Sequence, residues 1–333
     1  VGGQSRSVVK GRSRPEIEAL EGRVVLATFN ASNVSQLVTS IAQAAATPGA
    51  NTILLAPGNY ITRQAIQIRG VQDLTIQPKT ANTSVNLIGA VVDRVLTIDG
   101  GNVTLKNLTV SNGGGVIGAG IGAQNANLTL QGVRVFNNVA TGAAGGVFVQ
   151  NGSLNVQSST ILDNRVSRAG GAGGGGIVAL NAATNISASV IQRNSVFAVD
   201  LTSGNAVTGM GSGIYTAGGT LAITGSTITQ NTVNSSSIGT SSQAFGAGVY
   251  TTNTASTVTN TKATANGLST FATQTAVAQG SAFATVGGSL AVSNSTISGN
   301  GPKGWASFYN QNATVTVTNS TLDGSKITGT KTL

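Results

Sequence analysis

Few side chains in this sequence are spaced for chemistry. Asp163, Arg165, Arg168 and Arg193 are the main charged group: Asp163 and Arg193 each stand one residue before an Asn (Asn164 and Asn194), and Arg165 and Arg168 follow the first of these. Arginine grips carboxylates through a planar fork of donors, so one chemistry on offer is an anion or uronate subsite. The competing expectation is an exposed ion pair between neighbouring segments, worth roughly 0–1 kcal/mol. A second group is aromatic. Phe148, Tyr215, Tyr250 and Tyr309 each follow an aliphatic or Phe residue by one position, so on a strand they face away from the core. Exposed rings on a flat sheet can stack on sugar rings. The Gly/Ala-rich segments beside them are expected to fold over and bury them instead.

Absences narrow the chemistry further. With no His and no Cys, Ser-His-Asp and Cys-His catalysis and thiolate or imidazole metal sites are excluded. Beyond residue 27 the acids are Asp73, Asp93, Asp99, Asp163, Asp200 and Asp323. No two lie close together in the repeat, as the paired carboxylates of glycoside hydrolysis would. A calcium site wants several carboxylate oxygens together. Asp163 and Asp200 share no column, and only a segment folding back would join them. No catalytic residue, metal ligand or cofactor is expected on these grounds. The run Gly170–Gly176 lacks a following Gly-Lys-Ser/Thr and a strand-to-helix junction, so it reads as loop and corner material, not a phosphate loop.

The elements that must position these groups are short strands. Charged residues make up only 8% of 333, and 46 are Gly; such a chain favours short strands and many turns over helices. Its 40% hydrophobic content is periodic, which argues against disorder. The net charge of +9 is dilute and not interleaved with aromatics, so nucleic acid is not an expected partner, whereas an acidic polysaccharide suits a thinly basic surface. No apolar run reaches the length of a membrane span. Residues 1–27 form a basic lead-in, followed by one domain over 28–333, divided into a cap (28–60), coils (61–325) and a C-terminal end (326–333).

A helix is expected over 33–47. Asn33 caps it, Gln36 reaches back, and Val34, Leu37, Val38, Ile41 and Ala45 make one apolar stripe before Pro48-Gly49. From about residue 70 the chain repeats. One column is the core-facing residue after a small one: Ile121, Val147, Ile177, Ile214, Val249, Phe283, Phe308. A second is Asn138, Asn164, Asn194, Asn231, Asn266, Asn300, then Ser325. Both columns advance by 26, 30, 37, 35, 34 and 25, at a constant offset of 17. All length variation therefore lies between the Asn and the next small-small-aliphatic unit. Alternating pairs such as Leu128/Leu130, Leu154/Val156 and Leu221/Ile223, and the inward Ile161, Ile228 and Ile297, supply two more strands per coil. The Asn column is expected to be a structural ladder. Its residues would tolerate a left-handed corner and bond the equivalent amide one coil away, and Gly113 would tolerate the same corner.

The helix followed by Thr52-Ile53-Leu54-Leu55-Ala56-Pro57-Gly58-Asn59-Tyr60 resembles the N-terminal cap of the pectate-lyase-like superfamily. The small-small-aliphatic and aliphatic-x-x-Asn units (Ile161-Leu162-Asp163-Asn164, Ile228-Thr229-Gln230-Asn231) resemble the repeats of polymorphic outer-membrane proteins and related bacterial surface β-helices, though the third-strand aromatic of those repeats is mostly aliphatic here. Pro15 to Ala27 resembles a short motif of exported bacterial proteins. These resemblances imply an all-β fold: a right-handed parallel β-helix of about nine to ten coils, three strands per coil, behind a capping helix. They imply an extracellular or cell-surface protein exported from a bacterium. The leading expectation is a non-enzymatic, adhesin-like scaffold that presents loops 139–146, 165–176, 195–213, 232–248 and 267–282 to a polysaccharide or an extracellular protein. The alternative is a pectate-type lyase, which would need calcium as cofactor, or a carbohydrate-binding derivative using Phe148, Tyr215 and Tyr250. Polygalacturonase-type hydrolysis is not expected without His. No barrel segment follows the last coil before Leu333, so self-insertion into an outer membrane is not expected. An open C-terminal end would permit end-to-end self-association.

Overall fold

The structure is a computed structural model that describes residues 2–3, 26–202, 204–239, 241–302, 306–323 and 326–329. The export-type motif up to residue 25, Ser325, and the end beyond 329 lie outside these residues. The chain is a right-handed parallel β-helix. A typical coil runs Val147–Gln150, Ser153–Gln157, Thr160–Leu162. The next coil stacks on it in parallel, with Val147 beside Ile177, Leu154 beside Thr184 and Ile161 beside Ile191. Ten strands, from Gly58–Thr62 to Thr321–Asp323, form the third column, in line with the expected coil count. The first two columns merge into one bent sheet where 11-residue strands such as Ile177–Ser187 and Ile214–Thr224 turn the corner without a break.

Alternation along each strand sends one set of side chains inward. Ile121, Val147, Ile177 and Ile214 are fully buried and stack one per coil, and Phe283 and Phe308 continue the file with ring centroids 5.4 Å apart. Burying each such side chain contributes roughly 1.5–3 kcal/mol. A few polar residues interrupt the core. Thr184 and Ser256 are buried beside Leu221, and neither hydroxyl has a hydrogen-bond partner.

The helix, Val34–Ala46, lies over the strands Ala27–Ala31 and Ala50–Leu55 at the N-terminal end. Asn33 accepts the Gln36 amide, and the Gln36 side chain accepts the Ser32 N–H, one residue before the expected position. Leu37, Ile41 and Ala44 are the buried apolar residues, and Val38 is about half exposed. The covering stripe is thus rotated slightly from the expected one. Tyr60 pins cap to coil: its buried hydroxyl has one proton to give and lies 2.8 Å from the Ala31 carbonyl oxygen and 3.0 Å from that of Ala56.

The Asn ladder is present and bonds amide to amide one coil away as expected, but its residues do not take the expected left-handed corner conformation. The left-handed residues are those just before each ladder Asn: Asn137, Asp163, Arg193, Gln230, Ala265 and Gly299. The ladder Asn itself is selected by hydrogen bonding. The Asn194 side-chain nitrogen donates to the Ile161 carbonyl and to the Asn231 side-chain oxygen; its own oxygen accepts both the backbone and side-chain N–H of Asn164. Asn164, Asn231 and Asn266 repeat this at zero exposure; at the ends, Asn138 accepts the Gly113 N–H, and Asn300 donates to the carbonyls of Ala263 and Ser298. Gly113, one coil before Asn138, is not left-handed; a Cβ there would lie 1.9 Å from the Ala119 carbonyl oxygen. A hydroxyl ladder of Ser159, Ser189, Ser226, Thr261, Ser295 and Ser320 runs along another corner, each side-chain oxygen accepting the N–H from the coil before.

The segments expected as variable loops are strands. Ser195–Asp200, Thr232–Ser237 and their neighbours stack into a five-stranded sheet; Val207–Met210, Ser241–Phe245 and theirs form a facing four-stranded sheet. Each long coil therefore leaves the helix, doubles back as an arch and returns. The stacked arches form a fin with its own core, in which Val166, Val196, Ala198 and Val233 meet Ala172, Val207 and Ala244. Side chains this small let the two sheets approach closely. At Gly209, a Cβ would already lie 2.5 Å from a methyl of Val233. The ladder Asn and the small-small pair sit side by side at the fin's neck. A Cβ on Gly146 would lie 2.5 Å from the Gly176 carbonyl oxygen and 3.0 Å from the Asn164 amide.

Candidate functional site

The four charged residues singled out from the sequence do not converge. Arg193 forms a two-pronged pair with Asp163, both contacts at 2.8 Å, on an exposed corner. That hydrogen bond raises the arginine above its usual value. The Arg165 guanidinium lies 4.1 Å over the Phe197 ring. Arg168, three residues on in the same strand, points to the opposite face of its sheet. Asp200 stands at the far end of the strand Ser195–Asp200, about 20 Å out along the fin. There it accepts the N–H groups of Thr202 and Asn205, so it does not fold back toward Asp163.

The aromatic column is split by the fin. Phe148 is 6% exposed and packs with Ala144 and Val178 beneath the returning arches, so it is not available to a ligand. Tyr215 and Tyr250 are half-buried, 5.4 Å apart and tilted. In the next coil the same position is Ala284, and Tyr309 follows one coil later. Phe245, which reaches across from the facing fin strand Ser241–Phe245, lies between these two tyrosines. Its ring is 6.3 Å from Tyr250 and 5.5 Å from Tyr309, stacked on the latter. The return turn makes this possible. Gly246 is left-handed, and a Cβ there would lie 2.9 Å from the Tyr250 Cβ. Only bare backbone fits between ring and turn.

The result is a cleft of about 440 Å³ between the flank of the helix and the inner root of the fin. Tyr250, Tyr309, Phe245 and Met210 supply apolar surface; Gln243, Gln279 and Gln311 supply amides that both donate and accept. The Tyr309 hydroxyl donates to the Gln311 side chain at 3.0 Å. Burial, and then the nearby Tyr215 and Tyr309, push the Tyr250 phenol up to about 12, and burial also raises Tyr215. Both stay neutral hydrogen-bonding groups at any physiological pH. Among the described residues, the cleft lining contains no charged side chain. What it offers is stacking and neutral hydrogen bonding. Outward-facing Tyr215, Tyr250 and Tyr309 were legible from their place after the inward residue. Phe245, Met210 and the glutamines were not, because they meet the tyrosines only through the arch.

No family model and no curated protein matches this sequence. Among solved structures, the chain is similar to PfbA, a surface adhesin of Streptococcus pneumoniae, at 10% identity over 88% of this chain and 89% of that one, with a TM-score of 0.42. It is also similar to the Agl-KA catalytic domain (13% identity, 89% and 65% covered, TM-score 0.42) and to an endo-xylogalacturonan hydrolase from Aspergillus tubingensis (11%, 91% and 93%, TM-score 0.38). The architecture itself stands on the strand registers described above.

Proposed function

We propose that this chain is a non-enzymatic, extracellular β-helix that binds a neutral polysaccharide in the cleft between helix and fin. The observation that carries the reading is the ladder Tyr215–Tyr250–Phe245–Tyr309 with three glutamines beside it. Apolar ring faces bordered by groups that donate and accept suit a sugar, which has an apolar face and a rim of hydroxyls. The fin serves as the wall that completes the cleft, so the scaffold and the binding functions are one structure. The pectate-type alternative finds less support, because Asp163 and Arg193 satisfy each other and Asp200 stands far off.

The test is glycan binding by calorimetry or array with neutral polysaccharides. Each stacked ring contributes about 0.5–1.5 kcal/mol beyond its buried area, so Tyr250→Ala or Tyr309→Ala should weaken binding about tenfold or more. Wild-type affinity in both variants would remove the cleft from consideration. A calcium-dependent rise in ultraviolet absorbance on polygalacturonate or alginate, lost in Arg193→Ala, would instead favour the lyase.

A further inference from the structure

A second cleft, of about 350 Å³, lies on the same flank of the helix nearer the cap. Strand register places the two clefts on one line. Thr97, Gly122, Phe148, Val178, Tyr215, Tyr250, Ala284 and Tyr309 are equivalent positions of successive coils. From Thr97 to Tyr250 is five coil steps, or about 24 Å.

The second cleft has the opposite chemistry to the first. Its floor is Gly122, flanked by Gln67, Arg69, Asp99 and Gln124, and Arg94 reaches over it from the preceding turn. A Cβ on Gly122 would lie 2.2 Å from a guanidinium nitrogen of Arg94, so the missing side chain is what admits the arginine. Arg94 is half-buried, yet among the described residues no carboxylate lies within ion-pair distance of it. The adjacent Asp93 also lines the cleft, but its two oxygens are engaged by the N–H groups of Ala65 and Arg94. Asp99 is met only at 4.0 Å, by Arg69. Formal charge in the cleft sums to zero (Arg69 and Arg94 against Asp93 and Asp99), while donors and acceptors stand unspent within one small area. Neither a bare anion nor a cation suits such a site. A polyhydroxylated ligand does, since planar guanidinium, carboxylate and amide groups each engage adjacent hydroxyls two at a time.

Between the clefts, Phe148 and Val178 are covered by the fin, but the neighbouring outward file is only partly covered: Gln124 is exposed, and Gln150, Leu180, Ala217 and Thr252 are half-exposed, Leu180 packing against Phe148 and Val178. We infer that the Arg94 cleft is a second saccharide subsite, which grips by hydroxyl hydrogen bonds the same glycan chain whose other end stacks in the aromatic cleft. This rests on the carbohydrate reading of the first cleft and adds a length requirement to it. Linking two weak subsites makes the second contact intramolecular, so affinity rises abruptly once the chain can span both.

The experiment is calorimetric titration of the full chain with a neutral gluco-oligosaccharide ladder from disaccharide to octasaccharide. In the wild type, binding should tighten at least tenfold between the trisaccharide and the longest members. Arg94→Ala removes the donors, and Gly122→Ala fills the floor and displaces the guanidinium. Each should abolish that step and leave trisaccharide affinity unchanged, with circular dichroism and unfolding midpoint as in the wild type. Tyr250→Ala should weaken every length. A wild-type ladder with no step, or a step that survives both Arg94→Ala and Gly122→Ala, overturns the second subsite and leaves the first standing. Loss of trisaccharide binding in well-folded Arg94→Ala overturns it too, by making Arg94 part of a single site. No binding at any length overturns both.

Discussion

Replacing Asn194 by Ala tests whether the buried amide file holds the coils together. The substitution deletes four hydrogen bonds: two donated by Asn194 Nδ2, to the Ile161 carbonyl and the Asn231 side chain, and two accepted by its Oδ1 from Asn164. The backbone N–H of Asn164 loses its side-chain acceptor, and the Ile161 carbonyl loses a donor, at a site with zero exposure. At about 1 kcal/mol per bond, with more for a buried group left bare, the loss should be about 3–5 kcal/mol. With a urea slope of about 3 kcal/mol per M, the unfolding midpoint should fall by about 1–1.7 M. Asn155 is the control, since it is half-exposed on the outer face of the second column; Asn155→Ala should stay within about 0.5 kcal/mol. Equal midpoints for the two variants would refute the assignment of the ladder as the main polar fastening of the neck.

Three further outcomes follow from the packing. Thr184→Val keeps the shape of a fully buried residue and removes a hydroxyl with no partner, so it should stabilise by about 1 kcal/mol in the same urea assay. Burial raises Tyr250 from its ordinary 10.0 to about 12; the stability carried by the neutral phenol is complete below pH 10 and lost as pH climbs through 12. That amounts to at most about 2.7 kcal/mol, less where solvent reaches the ring edge, and Tyr250→Phe should remove this part of the alkaline decline. Asp163→Ala should cost under about 1 kcal/mol, and its effect should shrink in 1 M salt, because the Arg193 pair is partly exposed.

The helical coil was legible because its signals are local and repeated. A small pair before Val147 or Ile214, an alternating Leu154/Val156 and a buried Asn each mark one coil, and all fall where the register places them. The fin was not read, although its strands alternate too: Val196-x-Ala198 and Val233-x-Ser235-x-Ser237 face inward. Alanine and serine carry almost no hydropathic contrast, so alternation built from them looks like loop composition. The left-handed corner is masked in the sequence for a related reason. Position 163 or 193 must turn left-handed but accepts Asp or Arg, while the invitingly turn-like Asn next to it answers to hydrogen bonding. The polar cleft joins Gln67, Arg94 and Gln124 from three coils, and no spacing within one repeat could announce it.

The constant 17-residue offset beside coils of 25 to 37 residues has a consequence for how such a chain can change. By the logarithmic scaling of chain entropy, closing a 37-residue coil costs only about 0.3 kcal/mol more than closing one of 26. Each added pair of arch residues can recover that through hydrogen bonds to the arches above and below. Insertions at the arch tips, beyond Asp200 or Ser237, should therefore be nearly neutral, whereas a single residue inserted between Ile177 and Asn194 would turn outward the inward side chains that follow it in that coil. The depth of the wall can drift by insertion and deletion while the helix it stands on keeps its count.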